Sequence, residues 1–311
     1  MIVTITMNPS VDISYKLDQL TIDGVNRVTN YSKTAGGKGL NVARVLAQLE
    51  QPVTATGVLG GTIGDFIKQN IVKDNVEDGF LTIEKESRNC IAIIHDDGKQ
   101  TEILEAGPTL SEQEGENFLT HLTQLLTQNS KTVTVSGSLP KGLSVDYYTK
   151  VIALCNREHC KVILDSSGNY LMEVLKHKEK PYVIKPNLEE IESIVGQSLP
   201  TTDDQVKALS HKNFDGIMGI VLSKGKDGAI VKWGKDFYAV SIPKVQAVNP
   251  VGSGDSTVAG IAMGVELNYS PEEIIQTAMT AGILNAMEEK TGHINKENFE
   301  TIVKQIQIKK L

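Results

Sequence analysis

Short runs of β-branched and aliphatic residues recur along this chain, with helical patterns between most of them. This alternation limits the folds that the chain can adopt more than any other feature of the sequence. It predicts an α/β architecture, in which a mainly parallel central sheet is flanked by helices on both faces. The strand-like runs cover residues 2–6, 53–59, 132–136, 162–165, 182–185 and 217–223. Ligands of parallel sheets bind at carboxyl ends of strands, where this chain carries Ser136, Asp165, Lys185 and Ser223.

Two segments depart from this alternation. Residues 11–34 and 80–105 alternate polar and apolar side chains without an intervening helix, as in the run from Asn89 to His95. The pattern is typical of strands with one buried face, so we expect a small β-sheet inserted into the main domain. The α/β core would then comprise residues 1–10, 35–79 and 106–311. From about residue 252 the pattern is helical to the end, with helices expected near 253–267, 271–287 and 295–308.

The composition fits one large domain with a small appendage. With 311 residues, of which 40% are hydrophobic and 22% charged, the chain can bury a sizeable core. Its formal charge of −7 offers no basic surface for nucleic acid, so small molecules are the expected partners. The N-terminus has no basic region before its apolar run, and no apolar stretch approaches the length of a membrane span. We therefore expect a cytoplasmic enzyme with no membrane partner.

The three cysteines, Cys90, Cys155 and Cys160, cannot all pair with one another. A metal clip formed by Cys155, His159 and Cys160 would lack a second pair of ligands. Buried, reduced thiols are the better interpretation.

Residues 249–255 read Asn-Pro-Val-Gly-Ser-Gly-Asp and lead directly into an apolar helical pattern. The first N–H groups of a helix lack internal partners and lie at the positive end of its dipole, so Gly252, Ser253 and Gly254 can direct donors at a phosphate. Asp255 would then stand beside the transferred group as a candidate base. The same segment also fits an ordinary turn followed by an aspartate that complements the helix dipole.

A second glycine-rich segment, Ala35-Gly-Gly-Lys-Gly-Leu-Asn41, also opens a helix. Its glycines let the backbone approach a ligand closely, Lys38 supplies a positive charge and Asn41 can hydrogen-bond hydroxyl groups. The alternative is a flexible loop with a solvated lysine. Neither segment has the spacing of a P-loop, and the dinucleotide fingerprint fails because Val42 occupies the place of its third glycine.

Four further motifs stand in order along the chain: Asn8-Pro-Ser-Val-Asp12, Ser136-Gly-Ser-Leu-Pro140, Lys185-Pro-Asn-x-x-Glu190 and Ser223-x-Gly-x-x-Gly228. Together with the two glycine-rich segments, they resemble the landmarks of the ribokinase/pfkB carbohydrate kinases. The resemblance covers essentially the whole chain and is greatest to the branch that phosphorylates phosphohexoses. It implies a ribokinase-like fold in which the inserted sheet is a lid, and it leaves open a homodimer formed through that lid.

The resemblance also implies ATP and Mg²⁺ as cofactors and assigns roles near the transferred phosphate. Asp255 would be the catalytic base beside the N–H groups of Gly252, Ser253 and Gly254. Asn187 and Glu190 would hold Mg²⁺ mainly through its hydration shell, although an acidic residue in a first helical turn is also common for structural reasons. The expected nucleotide contacts are Lys185, Asn187, Ser223, Gly225 and Gly228.

On the acceptor side, Asp12 is expected to accept hydrogen bonds from sugar hydroxyls, although an aspartate there also fits a simple turn. Arg27 and Arg88 lie in the predicted lid, where arginines of the phosphohexose branch hold the substrate's own phosphate. A planar guanidinium suits phosphate better than it suits a neutral hydroxyl. The other expected substrate contacts are Gly37, Lys38, Asn41 and Ser136.

One position departs from the family pattern. Many members carry Asp-Thr where this chain has Asn249-Pro250. The change removes one negative charge and one backbone donor, which leaves open whether this pair contributes to the anion site.

The expected activity is ATP-dependent phosphorylation of a ketohexose phosphate, foremost of D-tagatose 6-phosphate to D-tagatose 1,6-bisphosphate. Phosphorylation of fructose 1-phosphate to fructose 1,6-bisphosphate is the alternative, because both reactions use nearly the same motifs. A non-catalytic sugar-phosphate sensor would have no need of Asp255, the glycines and Glu190 together. A nucleoside kinase would favour an aromatic-rich acceptor pocket, and this chain has 5% aromatic residues.

Overall fold

The computed structural model describes residues 1–126 and 130–311. Within these residues the chain forms an eleven-stranded sheet and a separate sheet of four strands. The strands are β1 Ile2–Thr6, β2 Ser10–Lys16, β3 Asn30–Gly36, β4 Val53–Gly60, β5 Glu77–Asp78, β6 Leu81–Ile83, β7 Arg88–His95, β8 Lys99–Leu104, β9 Thr132–Ser136, β10 Lys161–Asp165, β11 Val183–Ile184, β12 Gly219–Ser223, β13 Ala229–Trp233, β14 Asp236–Ser241 and β15 Gln307–Lys310.

The helices lie between these strands and begin at recognisable sequence signals. They are α1 Lys38–Gln48, α2 Gly61–Lys73, α3 Glu112–Leu125, α4 Tyr147–Arg157, α5 Gly168–Lys176, α6 Leu188–Val195, α7 Thr202–Leu209, α8 Ser253–Glu266, α9 Pro271–Ala286 and α10 Phe299–Val303. Reciprocal capping boxes open α3, α6, α7 and α9. Among the described residues, none of these helices combines the length and apolar character needed to cross a bilayer.

The larger sheet has the order β15-β14-β13-β12-β11-β10-β9-β1-β4-β5, with β6 also paired to β4. Strands from β12 to β5 in this order run parallel, and β13, β14 and β15 add antiparallel to one edge. One face packs against α1, α2, α8 and α9, and the other against α3 to α7, so apolar side chains are buried on both sides. The structure confirms the predicted α/β architecture.

The C-terminal helix expected near 295–308 is wrong in its second half. A short 3₁₀ turn, Lys296–Asn298, precedes α10, and the chain then continues as β15 beside β14. Ile306 is buried and Ile308 is half-buried while Gln307 between them is exposed, which is the two-residue period of an edge strand. The edge strand β14 provides backbone hydrogen-bond partners for this segment. With four residues, β15 is too short for its alternation of buried and exposed side chains to be evident in the sequence.

The four-stranded sheet, which we call the small sheet, has the order β3-β2-β7-β8. It joins the main body where β1 ends and where α1 begins, because β2 starts at Ser10 and β3 ends at Gly36. Leu81–Ile83, which lies inside the segment 80–105, pairs with β4 of the larger sheet instead.

All three cysteines are free thiols, and the predicted burial is correct for two of them. Cys155 and Cys160 are buried, and Cys90 is half-buried on β7. Burial raises the pKa of each thiol, so none is a reactive thiolate at neutral pH.

Candidate functional site

Asp255 lies in the first turn of α8, buried where the carboxyl ends of the parallel strands meet. The helix begins at Gly252, whose φ of 84° is left-handed and whose added Cβ would lie 2.6 Å from the Thr291 methyl group. The N–H of Ser253 is engaged by the Pro250 carbonyl at 3.2 Å. No residue that the structure describes accepts from the N–H of Gly254, so this donor is available to a ligand.

The Asp255 carboxylate is held on one side only. The side-chain amide of Asn41 donates to its Oδ2 at 2.8 Å, across 214 residues of sequence, whereas Oδ1 has no partner within the described chain. Burial and, to a lesser degree, the charge of nearby Asp165 raise the pKa of Asp255 to about 7, although Asn41, Lys38 and Lys185 act to lower it. A carboxylate that titrates near neutrality can accept a proton under physiological conditions.

Two lysines converge on Asp165, at the carboxyl end of β10. Lys38 Nζ lies 3.3 Å from Asp165 Oδ2, and Lys185 Nζ lies 3.2 Å from Oδ1. Burial raises the pKa of Asp165, but the two ammonium groups outweigh it and hold the pKa below its usual value. An added Cβ on Gly254 would lie 3.3 Å from Lys185 Nζ, which places the free N–H of Gly254 beside this pair. We call Lys38, Asn41, Asp165, Lys185 and Asp255 the floor cluster.

Asp12 forms a second polar position beside the start of α1. Its Oδ1 accepts from Ser10 Oγ at 2.7 Å, and an added Cβ on Gly36 would lie 2.0 Å from its carboxyl carbon. Only glycine at position 36 therefore leaves room for this carboxylate. Burial raises the pKa of Asp12, although the hydrogen bond from Ser10 and the positive charges of Arg44 and Arg88 act to lower it. Gly37 follows as the N-cap of α1 with φ 105°.

Ser136 ends β9 next to this region. Its side chain is buried, and its Oγ has no hydrogen-bond partner among the described residues. The following residue, Gly137, donates its N–H to the Asp165 carbonyl at 3.1 Å, so the two strand ends are held together.

The two arginines singled out from the sequence occupy different environments. Arg27 is exposed in the loop between β2 and β3 and forms no ion pair or hydrogen bond with the part of the chain that the structure describes. Arg88 begins β7 and donates through Nε and Nη2 to the Asn8 carbonyl and through Nη1 to the Glu105 carbonyl. Three of its five N–H groups are thus used by the backbone, and two remain for a ligand.

Asn187 and Glu190 form the capping box of α6. Asn187 Oδ1 accepts from the Glu190 N–H at 2.8 Å, and Glu190 Oε2 accepts from the Asn187 N–H at 2.9 Å. Glu190 Oε1 and the Asn187 amide N–H groups are left for other partners. Within the described residues, no cluster of three or more histidine, cysteine or acidic side chains could hold a metal on its own.

The remaining predicted nucleotide contacts lie beside this capping box. Ser223 ends β12 and pairs with Asn187 as an isolated bridge, and its N–H donates to the Pro186 carbonyl at 3.1 Å. Gly225 opens an exposed 3₁₀ turn, while Gly228 closes that turn with φ 83° and an added Cβ would meet the Val240 carbonyl at 2.0 Å. The turn therefore requires glycine at position 228.

Asn249 and Pro250 build the turn that leads into α8. Asn249 Oδ1 accepts from the Val251 N–H at 3.0 Å, and its amide donates to the Glu289 carbonyl at 3.0 Å. Both polar groups of the side chain are therefore used in shaping the loop.

Two charged residues of this site are absent from the set selected on the sequence. Asp165 was visible as a carboxylate at the end of a buried strand, a position that parallel sheets use for ligands. Arg44, which hydrogen-bonds Asn41, lies on the second turn of α1, where the sequence shows only a polar residue off the apolar stripe.

The chain is similar to known proteins in both sequence and fold. Residues 2–298 match the model of the pfkB family of carbohydrate kinases. A tagatose-6-phosphate kinase of Staphylococcus epidermidis (strain ATCC 12228) is 50% identical over 309 residues, which cover 99% of each chain.

The solved structures that the chain resembles include Escherichia coli phosphofructokinase-2. Its complex with fructose-6-phosphate has a TM-score of 0.86 at 26% identity, and its tetrameric inhibited form has a TM-score of 0.87 at 26% identity. Each comparison covers 97% of this chain and 98% of the other. From the family match and the full-length relative, this chain belongs to the pfkB family of carbohydrate kinases and is a phosphotransferase with an alcohol group as acceptor.

Proposed function

We propose that this protein transfers the γ-phosphoryl group of ATP to the C1 hydroxyl of D-tagatose 6-phosphate, with D-tagatose 1,6-bisphosphate as the product. The observation that carries the proposal is Asp255, a buried carboxylate with one oxygen held by Asn41. Among the described residues its other oxygen has no partner, and neither has the adjacent N–H of Gly254 at the start of α8. A base and an anion-binding donor in one place are what phosphoryl transfer to a hydroxyl needs.

In the proposed reaction, Asp255 Oδ1 accepts the proton of the attacking hydroxyl. The N–H of Gly254 and the ammonium groups of Lys38 and Lys185 face the negative charge that develops on the transferred group. Asp165 holds both ammonium groups toward this position. Because these groups are already in place, little reorganisation is needed when the bond breaks.

The residues at the start of α6 fit a hydrated Mg²⁺. Glu190 Oε1 is the one carboxylate oxygen of the capping box that remains available, and the Asn187 amide can donate to a phosphate or to a metal-bound water. Mg²⁺ commonly binds through one or two carboxylates and substrate phosphates while keeping several waters. When bound, it supplies positive charge to the phosphates of ATP. Ser223, Gly225 and Gly228 would line the ribose and base.

The acceptor sugar would lie between the floor cluster and the small sheet. Asp12, Asn41, Gly37 and the unpartnered hydroxyl of Ser136 offer hydrogen bonds to its hydroxyl groups. Arg27 is free to bind the sugar's own phosphate, and Arg88 can add the two N–H groups that the backbone leaves. The charge-assisted pairs between arginine and phosphate would select phosphorylated sugars over free ones.

The assignment of tagatose 6-phosphate draws on the relative that is 50% identical and carries that name. ADP release measured with tagatose 6-phosphate, fructose 1-phosphate, fructose 6-phosphate, free fructose and ribose tests it. We expect the highest kcat/KM for tagatose 6-phosphate. A higher value for fructose 1-phosphate would make the chain a 1-phosphofructokinase, and turnover of none of the five would contradict the proposal.

We also propose that two copies of the chain meet through the small sheet. Its edge strands β3 and β8 carry exposed apolar side chains, with Tyr31 60%, Ile103 54% and Leu104 59% exposed. Exposed sheet edges with apolar side chains favour pairing with another chain. Sedimentation should show a dimer, and Tyr31→Asp should shift the equilibrium toward monomer; a monomer at micromolar concentration would contradict the proposal.

A further inference from the structure

Arg44 is a buried cation that connects three parts of the molecule. Its side chain is 4% exposed, and it lies one helical turn after Asn41 on α1. Nε donates to Asp74 Oδ2 at 2.8 Å, Nη2 donates to the Ala35 carbonyl at 2.5 Å, and Nη1 donates to Asn41 Oδ1 at 3.1 Å. Asp74 is the C-cap of α2 and Ala35 lies at the end of β3, so one guanidinium joins α1, α2 and the small sheet.

The third of these hydrogen bonds determines which way the Asn41 amide faces. An arginine can only donate, so the atom of Asn41 that faces it must be the carbonyl oxygen. The amide nitrogen then faces the opposite side, where it donates to Asp255 Oδ2 at 2.8 Å. With the amide reversed, two donors would face each other and the carbonyl oxygen would face the carboxylate.

We infer that Arg44 is a positioning residue for the reaction, which orients the Asn41 amide so that Asp255 presents its free oxygen to the acceptor hydroxyl. The inference rests on the proposed role of Asp255 as the base. Asp74 and the Ala35 carbonyl accept from the other two nitrogen atoms of the guanidinium and so fix its plane.

The packing around this chain of hydrogen bonds leaves the amide little room. An added Cβ on Gly292 would lie 2.9 Å from Arg44 Nη1 and 3.1 Å from Asn41 Oδ1, so the backbone of this loop closes over their hydrogen bond. Asn285 accepts from the Gly292 N–H at 2.8 Å and donates to the Val251 carbonyl at 2.9 Å. The loop that covers Arg44 is thus tied to the turn that begins α8.

Arg44→Lys is the variant that tests the inference. Lysine keeps the positive charge, but a single ammonium cannot reproduce the planar fork that contacts three elements. We expect kcat to fall about 10- to 100-fold, because the variant misplaces the base. KM for the sugar phosphate should rise less, because Asn41 is the one proposed sugar contact that the variant disturbs. Arg157→Lys is the matched control, since Arg157 is exposed on α4 and, within residues 1–126 and 130–311, forms an ion pair with its neighbour Glu158 alone. It should leave both constants unchanged.

The pH profile separates positioning from general loss of structure. Three charged side chains face Asp255: Asp165 on β10, Lys38 on α1 and Lys185, which follows β11. The uncharged side chain of Asn41 also contacts it. Lysine at position 44 leaves these charges in place, whereas loss of the Asn41 donor disfavours the ionised carboxylate. The pH at which kcat falls on the acidic side of its pH profile should therefore be higher in Arg44→Lys than in the wild type. In Arg157→Lys it should be unchanged.

The double variant Arg44→Lys/Asp255→Asn distinguishes this inference from the proposed function. If Arg44 acts through Asp255, adding Arg44→Lys to Asp255→Asn should cause no further loss of kcat. The inference would be overturned if the losses of kcat in the two single variants multiplied in the double variant. It would also be overturned if Arg44→Lys had the kcat of the wild type and the same acidic limb in its pH profile. Either result would leave the assignment of Asp255 as the base intact. Near wild-type turnover of Asp255→Asn alone would instead overturn the proposed function. If Arg44→Lys does not fold, Asp74→Asn is the variant to measure, because Asp74 holds the Arg44 guanidinium. We expect its kcat to fall several-fold, and an unchanged kcat would contradict the inference.

Discussion

The floor cluster and the small sheet differ in how their charged side chains are held. In the floor cluster, each charged side chain contacts another member, and contacts such as Asn41 to Asp255 join residues 214 positions apart. In the loop that joins β2 and β3 of the small sheet, Arg27 is exposed and forms no ion pair or hydrogen bond with the rest of the described chain. Under the proposed function, the protein preorganises the reacting side of the site, whereas the ligand would complete the substrate-recognition side.

The largest expected effect comes from the preorganised side. Asp255→Asn should reduce kcat about 10²- to 10⁴-fold, because the base is lost while a residue of similar shape remains. The change in KM should be small, and thermal unfolding should show an intact fold, because an uncharged amide suits this buried position. Turnover close to that of the wild type in an ADP-release assay would remove Asp255 from the mechanism.

The next prediction separates the two arginines of the small sheet. Arg27→Ala should raise KM for the sugar phosphate about 10- to 100-fold with no change in melting temperature, because its proposed partner is the ligand and no described residue pairs with it. Arg88→Ala should raise KM and also lower the melting temperature, because the Asn8 and Glu105 carbonyls lose their donor.

A free ketohexose is the control for both variants, because it has no phosphate to bind. Its weak turnover should be nearly unaffected by Arg27→Ala. Equal losses for the free and the phosphorylated sugar would show that Arg27 supports the fold of the loop and does not recognise phosphate.

A smaller effect is expected from pH. Because the base must be ionised and its pKa is about 7, kcat should fall about tenfold between pH 8 and pH 6.

The pKa of Asp255 in the folded protein lies above the ordinary value, so the stabilisation from protonated Asp255 is lost as pH rises toward and through 7. Wild-type unfolding free energy should therefore decline between about pH 4 and pH 7 relative to that of Asp255→Asn, and should level off at higher pH. Parallel stability curves for the two proteins would contradict the shifted pKa.

The smallest effect is expected at the capping box of α6. Glu190→Gln should raise the Mg²⁺ concentration for half-maximal activity several-fold, because a neutral oxygen replaces the carboxylate that faces hydrated metal. The capping hydrogen bond can survive, since glutamine also accepts from the Asn187 N–H. Activity titrated against Mg²⁺ at saturating sugar measures this. An unchanged half-saturation point would leave Glu190 with only its role in the helix cap.

Several features of this protein could be predicted because their signals are local. The strand and helix periods indicated the parallel sheet and its two helical layers, and the glycine-rich segments indicated the starts of α1 and α8. Gly36, Gly228 and Gly252 occur where a side chain would overlap neighbouring atoms, so the residue type itself carries the signal. Asp255 was identifiable because it directly follows such a segment.

Other features are decided by contacts between distant parts of the chain. Asp165 pairs with Lys38 across 127 residues, and Arg44 is buried because Asp74, Ala35 and Asn41 surround it in space. The strand β15 forms because an open sheet edge lies beside it, although the expected pattern there was helical. The sequence alone determined the layered architecture and the candidate base, because periodicity and backbone sterics act over a few residues. Tertiary structure decided the base's pKa and orientation, because burial and charge depend on which strands and helices meet.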